Sequence, residues 1–299
     1  GKSIHDAESS LIDYNRAGVA LLELVTEPEI YSSEEAFAFL TELRKLVRWI
    51  GICDGNMEEG SLRCDANVSI KPAGELKLGT RVEIKNLNSI RNVKRAIEYE
   101  IKRQVTLLES SEQIVQQTRS YDADNNVTHQ QREKEEANDY RYFTCPDIPP
   151  VEISDEYISK VKSLLPELPE QLLQKYISVF YLSEQDARAL TEDKALSDYF
   201  NELIKETTHI KAAVNWLLGP IKSWLNDNHA EMPQWPVIIK MMCKLIDLIQ
   251  DGKLNFSIAA ARILPVMIQQ PNADPLQIAT EMNLLQESDE EQTLQWVNE

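Results

Sequence analysis

Two periodicities share the first half of the chain. Ala36, Leu40, Leu43, Val47 and Ile50 recur every three to four residues, which makes one face of a helix apolar. Ser32-Ser33-Glu34-Glu35 just ahead is a capping box, with Ser32 accepting from the first helical amides and Glu35 reaching back. A second helix runs from about Ser89, with Val93, Ile97, Ile101, Val105 and Leu108 on one face. Elsewhere the period shortens to two. Residues 64–70 and 81–85 alternate apolar with polar, Gly74 marks the turn between them, and 115–121 and 127–132 flank a hairpin signal at Asp122-Ala123-Asp124-Asn125-Asn126. Such runs predict an antiparallel sheet with one wetted face, and no βαβ alternation supports a parallel one. Residues 19–25 read as a buried strand that Glu23 interrupts.

The pattern changes near Asp155. A short strand-like Val151-Glu152-Ile153 follows Pro146, Pro149 and Pro150. Beyond it, helical spacing covers 156–164, 167–176, 184–191, 195–206, 209–225, 236–250, 257–269 and 275–298, with breaks at Pro166, Pro169, Gly252 and Pro271. The expected fold class is α+β: an antiparallel sheet with packed helices over 1–155, then an all-α domain over 156–299. The polar stretch 226–236 is the expected sub-boundary.

Composition adds three constraints. A length of 299 residues favours about two domains. No run of about 18 apolar residues is present, so no membrane span is expected. Cys53, Cys64, Cys145 and Cys243 lack CxxC spacing and the four His are scattered, which points to free thiols in a reducing cytoplasm rather than a zinc site. Charge is the unusual feature: 31 Lys and Arg stand against 49 Asp and Glu, a net of -18. That total opposes non-specific nucleic-acid binding. Residues 77–105 reverse the sign, with Lys77, Arg81, Lys85, Arg91, Lys94, Arg95, Lys102 and Arg103 against Glu83, Glu98 and Glu100.

Four constellations place polar groups where chemistry could use them. Glu23 lies in Glu23-Leu24-Val25-Thr26-Glu27-Pro28-Glu29, and a carboxylate on a buried strand is costly unless paired or metal-bound. A solvent-facing edge explains it equally well. Residues 57–69 (MEEGSLRCDANVS) carry Glu58, Glu59, Arg63, Asp65 and Asn67. Alternation puts Arg63, Asp65, Asn67 and Ser69 on one face, suited to a phosphorylated ligand or to Mg²⁺, and equally an ordinary wetted sheet face. In Glu83-Ile84-Lys85-Asn86-Leu87-Asn88-Ser89, Glu83 and Lys85 share a face, and Asn88 or Ser89 caps the basic helix, whose N-terminus favours anions. Capping alone would also account for it. Asp139-Tyr140-Arg141-Tyr142-Phe143 flanks an Arg with aromatics, as base stacking or sheet packing would use them.

These motifs together resemble the catalytic cradle domain of the B subunit of aspartyl/glutamyl-tRNA amidotransferase (GatB). The likeness rests on Gly1-Lys2-Ser3, 11–18 (LIDYNRAG), 22–28 (LELVTEP), 57–69, 83–89 (EIKNLNS) and 139–143 (DYRYF). It continues through Pro166-Glu167-Leu168-Pro169, Asn215-Trp216-Leu217 and Asp251-Gly252-Lys253 into the family's helical domain and the start of its YqeY-like tail. The resemblance implies a cytoplasmic ligase subunit that acts on Glu-tRNA(Gln) or Asp-tRNA(Asn). The side-chain carboxylate is phosphorylated with ATP and Mg²⁺, then amidated with ammonia channelled from an A (amidase) subunit, while a C subunit clamps the assembly. It implies Glu23 as the metal ligand. Glu23, Asp65, Arg63 and Lys85 would be catalytic, and Glu58, Glu59, Asn67 and Asn88 would contact ATP or substrate.

The family's Glu-x-His and Glu-Glu metal motifs would lie upstream of Gly1, so only part of the metal site, and an inactive isolated chain, are expected. Ala20 stands where the family has Pro, and Thr144-Cys145 replaces Pro-Glu. Two other readings are a non-catalytic tRNA-binding scaffold and the archaeal Glu-tRNA(Gln)-specific homologue. The latter needs an extra domain for which Ile153 to Pro166 leaves no room.

Overall fold

The computed structural model describes residues 2–5, 10–15, 18–133 and 147–286. Motif 139–143, Cys145 and the predicted helical residues 287–298 lie outside the described residues. Two compact units emerge, Gly1–Leu40 with Cys64–Glu135, and Thr41–Arg63 with Glu136–Glu299.

The first unit holds strands β1 (Lys2–His5) and β2 (Ser10–Asp13), an antiparallel pair that the hydrophobic pattern does not predict. Its main sheet is four-stranded in the order β3 (Ala66–Val68), β4 (Val82–Lys85), β5 (Gln117–Asp122), β6 (Val127–Glu133). β3 and β6 pair antiparallel with their neighbours, but β4 and β5 run parallel. The sheet is therefore mixed, and the expectation of an antiparallel sheet without a βαβ unit is corrected at its centre. The crossover is α2 (Ile90–Glu109), whose 20 residues are ample for a parallel connection, where a hairpin would need only a short turn. Four residues of β4 carry alternation but no sign of strand direction.

Two other predicted strands do not form. Residues 19–25 have no ladder partner among the described residues and stand exposed, Leu21 at 88% and Val25 at 82%. Apolar content suits a strand, but a strand is stable only when its backbone groups are paired. Val151 and Ile153 are likewise exposed and have no ladder partner among the described residues.

The α2 face turned to the sheet also differs from the predicted stripe. Val93, Ala96, Glu100 and Gln104 are buried, while Val105 and Leu108 of the apolar stripe are exposed. Glu100 explains the rotation. Its carboxylate is fully buried and accepts from Arg103 (Nη2 at 2.6 Å, Nε at 3.0 Å) and from Gln104 Nε2 at 3.0 Å. Thr128 Oγ1 on β6 donates to it at 3.3 Å, and Arg119 of β5 lies 3.6 Å away. Arg119 in turn donates to Thr128 Oγ1 at 2.7 Å and to its carbonyl at 2.6 Å. Gln104 Nε2 also donates to the Val68 carbonyl of β3 at 3.2 Å. Burial depresses the Arg119 pKa, helped by the charge of Arg103 and opposed by Glu100.

Helix α1 (Ser33–Trp49) starts as its capping box predicts, with one shift. The Glu35 amide donates to Ser32 Oγ at 3.1 Å, but the Glu35 carboxylate accepts from the Tyr31 amide at 2.6 Å, one residue earlier than expected. The division between the units falls within this helix, after Leu40.

The second unit is helical: α3 (Asp155–Ser163), α4 (Pro169–Ser178), α5 (Glu184–Leu190), α6 (Lys194–Glu206), α7 (Ile210–Trp216), α8 (Lys222–Asp227), α9 (Ile239–Gln250), α10 (Phe256–Ile258), α11 (Leu264–Gln269) and α12 (Pro275–Glu281). π turns at Leu217–Ile221 and Ala259–Ile263 join α7 to α8 and α10 to α11, so the predicted helices 209–225 and 257–269 are each continuous. Pro220 sits in the first π turn. Proline lacks an amide hydrogen and disturbs the α-helical ladder, and a wider turn accommodates it. Helix α12 ends at Glu281, short of the predicted 275–298, because Asn283 adopts a left-handed φ of 51°.

The core of this unit includes Tyr176, Phe200, Leu203, Trp216, Leu217, Ile221, Met242, Leu245 and Ile246. Tyr176 packs edge-on to Phe200 at 5.1 Å, and its hydroxyl lies 2.7 Å from Ser197 Oγ. Trp49 belongs to the same core and donates from Nε1 to the Glu167 carbonyl at 2.9 Å, which is why 41–63 folds with the helical half. Stretch 226–236 connects α8 to α9 inside this unit, with Met232 and Trp235 buried.

The Glu100 cluster yields the first prediction. Arg119→Ala leaves a buried carboxylate short of a partner and should cost about 3 kcal/mol. Urea unfolding of both proteins, read as a fall in midpoint at constant slope, checks it.

Candidate functional site

Helix α2 covers one face of the mixed sheet. The other face carries the polar members of each alternating strand, because successive side chains point to opposite sides. Ala66, Val68, Val82 and Ile84 are buried, so Asp65, Asn67, Glu83 and Lys85 fall on the open side. Register places Asn67 opposite Glu83 on one flank, and Thr118 of β5 opposite Glu83 on the other.

A continuous polar row results. Lys85 Nζ donates to Asp65 Oδ2 at 2.6 Å and lies 3.4 Å from Glu83 Oε1. Thr118 Oγ1 donates to the second Glu83 oxygen at 2.8 Å. The Glu83 side chain is 14% exposed, while those of Asp65 and Lys85 are 48% and 42% exposed. The hydrogen bond to Asp65 holds the Lys85 ammonium above the usual lysine range, against the opposing effect of burial, and the charges of Asp65 and Glu83 add to it. Lys85 therefore stays protonated through the physiological range, as a cationic donor and not a base. Thr118 is absent from the sequence-derived candidates, and Glu83 appears there as sharing a face with Lys85 but without an assigned role. The parallel pairing of β4 with β5, which alternation alone does not reveal, is what brings Thr118 to this row.

The turn after β4 aims the start of α2. Asn86 takes a left-handed φ of 66°, and its side-chain amide donates to the Tyr121 carbonyl at 2.9 Å. Asn88 Nδ2 reaches Asn86 Oδ1 at 3.5 Å. Ser89 is the N-cap, accepting from the Asn92 amide at 3.1 Å, so of the two expected capping residues the structure uses Ser89. Asn88 is exposed beside it.

Arg63 and the Glu58–Glu59 pair fall in the second unit. Asn56 Oδ1 accepts from the amides of Glu58 at 3.0 Å and Glu59 at 3.3 Å, and Arg63 Nε donates to the Gly60 carbonyl at 3.3 Å. Both carboxylates stand exposed on this turn.

Glu23 is exposed in a stretch without regular structure. Mg²⁺ prefers a near-octahedral set of oxygen ligands. Among the described residues, no three His, Cys, Asp or Glu side chains gather to hold a metal ion. These residues do not by themselves fit Mg²⁺. The basic stretch is partly spent internally: Lys94 pairs with Glu34 at 3.0 Å and Arg103 with Glu100 at 2.6 Å, whereas Arg91, Arg95 and Lys102 are exposed. Among the described residues, no helix is long and apolar enough to cross a membrane.

Residues 1–159 match the family described as the GatB/GatE catalytic domain, and residues 198–299 match the GatB domain. The chain is 47% identical over 291 residues to the B subunit of the aspartyl/glutamyl-tRNA(Asn/Gln) amidotransferase from Rickettsia bellii, covering 97% of this chain and 59% of that protein. The protein of the same name from Thermodesulfovibrio yellowstonii is 44% identical, over 85% of this chain and 54% of its own length. That from Desulfotalea psychrophila is 42% identical, over 100% of this chain and 63% of its own. The chain thus spans about three fifths of the length of such relatives.

The turn at Asn86 is testable. Asn86→Val places a β-branched residue at positive φ and removes the bond to β5, and should destabilise by about 2 kcal/mol. Asn86→Gly keeps the backbone conformation and should cost less than half as much. Thermal unfolding of the two variants side by side measures the difference.

Proposed function

The chain belongs to the GatB/GatE catalytic-domain family, and on that premise we propose that it acts as part of the B subunit of a glutamine-dependent tRNA amidotransferase. The match over residues 1–159 carries this reading, and it includes every residue of the polar sheet face. In this reading the substrates are Glu-tRNA(Gln) and Asp-tRNA(Asn), the partners are the A (amidase) and C subunits, the compartment is the cytoplasm, and ATP is the phosphoryl donor. Mg²⁺ belongs to the proposal as the usual companion of ATP, but no step is routed through it because the described residues offer it no cage.

A carboxylate is a poor electrophile towards ammonia. Phosphorylation of the substrate side chain converts its oxygen into a leaving group, and ammonia then displaces phosphate to give the amide. The protein's task is to position the groups and stabilise the charge that develops. Lys85, held charged by Asp65 and Glu83, suits a donor to a carboxylate or phosphoryl oxygen. Asp65 restrains that lysine. Asn67 offers a neutral hydrogen bond on the same face, and Asn88 one on the turn that leads into α2. Arg63 is assigned a catalytic contact, Glu58 and Glu59 contacts to ATP or substrate, and Glu23 a carboxylate role at the reaction centre; these four assignments rest on the family likeness.

Recognition of tRNA needs only a local basic surface. Arg91, Arg95 and Lys102 supply exposed cations in a chain whose total charge is -18. Binding that relies on few phosphate contacts depends weakly on salt and releases its product readily.

The decisive assay is amidation of Glu-tRNA(Gln) by the full-length protein in its complete assembly, with ammonia as the nitrogen donor. Glu23→Gln should abolish amidation while leaving tRNA binding within about twofold of the unsubstituted protein. Undiminished amidation in that variant removes Glu23 from the reaction centre.

A further inference from the structure

The lysine on the sheet face is held from two sides, and one of the restraining groups is itself held. Asp65 reaches Lys85 from the margin of β3, and Glu83 reaches it from two residues earlier on the same strand. Asp65 is half-exposed and free to be hydrated, whereas Glu83 is largely covered. Glu83 has two carboxylate oxygens with different tasks: Oε1 faces the ammonium, and Oε2 accepts from Thr118. Thr118 is 7% exposed on a strand fixed on both flanks by ladder hydrogen bonds. The result is a chain of contacts, Thr118 to Glu83 to Lys85 to Asp65, that runs across three strands.

We propose that Glu83, seated by Thr118, is a positioning residue that fixes the Lys85 ammonium as a permanent hydrogen-bond donor towards a carboxylate or phosphoryl oxygen of the substrate. An ammonium has three donors. One is given to Asp65, Glu83 holds the ammonium by charge at 3.4 Å, and the remaining donors are left for the open side of the sheet, where Lys85 keeps its exposure. A lysine side chain has high rotamer entropy, and restraint at two points lowers what must be lost when substrate binds. The two carboxylates also keep the lysine charged, so its role is to donate and not to accept a proton. No group-transfer step is assigned to Glu83 or to Thr118.

The proposal rests on the amidotransferase reading for its kinetic arm only. The full-length protein, with lysine side chains isotopically labelled, is titrated by nuclear magnetic resonance at the Lys85 amine in the unsubstituted form and in Glu83→Gln, Thr118→Val and Thr118→Ser. The Lys85 midpoint should fall in Glu83→Gln, fall less in Thr118→Val, and stay in place in Thr118→Ser. In the complete assembly, kcat for amidation should drop about tenfold in Glu83→Gln and Thr118→Val with KM for the aminoacyl-tRNA within twofold, and Thr118→Ser should recover most of it. Thr118→Ser preserves the hydroxyl and guards against reading a folding defect as a kinetic one. An unmoved Lys85 midpoint in Glu83→Gln, or a loss of kcat in Thr118→Ser equal to that in Thr118→Val, overturns the proposal. If the midpoints move as stated while the unsubstituted assembly forms no amide, the positioning stands and the amidotransferase reading fails.

Discussion

A buried carboxylate governs the geometry of the first unit. Glu100 has no solvent, so its charge must be met by protein groups alone, and those groups come from both the helix and the sheet: Arg103 and Gln104 on α2, Arg119 on β5, Thr128 on β6. An apolar contact would tolerate a helix turned by some tens of degrees. A carboxylate that needs directed donors does not. The cluster therefore sets which residues of α2 face the sheet, and leaves Val105 and Leu108 exposed as the cost of that choice.

Rotation of the helix also fixes how its first turn is approached. Ser89 caps α2, Asn86 turns the chain at positive φ, and the Asn86 side chain ties this turn to the Tyr121 carbonyl on β5. β4 is thus anchored at its end to the same strand that supplies Thr118. The polar row on the open face and the charged cluster on the covered face are two sides of one pairing, between β4 and β5. Burial of Ile84 on one side obliges Glu83 and Lys85 to lie on the other.

Local signals in the sequence correspond to what the structure shows wherever a short range of residues decides the outcome. The Ser32 cap, the helix after Ser89, the 122–126 hairpin turn and the helical spacings of the second half, apart from the long one predicted over 275–298, form close to where their patterns place them. So does the shared face of Glu83 and Lys85. What sequence could not convey is what depends on pairing over distance. Strand direction at β4–β5 and the arrival of Thr118 beside Glu83 follow from a crossover helix of 20 residues, and a two-residue period is blind to it. The rotation of α2 was hidden for a different reason: periodicity favours Ile97 and Ile101 over Glu100, because it counts apolar residues and gives no weight to a carboxylate that finds two arginines. Residues 19–25 show the converse error, an apolar run with no backbone partner among the described residues. For Glu23 the motif is legible, but among the described residues it stands exposed and no three metal-binding side chains gather, so the structure gives it no chemistry.

The π turn at Leu217–Ile221 has a consequence for rotational phase. A π turn holds one residue more than the α turn it replaces, so the helix beyond it is advanced by about 100° relative to an uninterrupted one. Trp216, Leu217 and Ile221 are all buried around that turn, and Leu225 is buried one turn later. The second half of the helix thus presents its apolar face through an offset that the first half alone would not give. Its seven-residue and six-residue arms behave as two separately indexed gears on one shaft, keyed to each other by a single surplus residue.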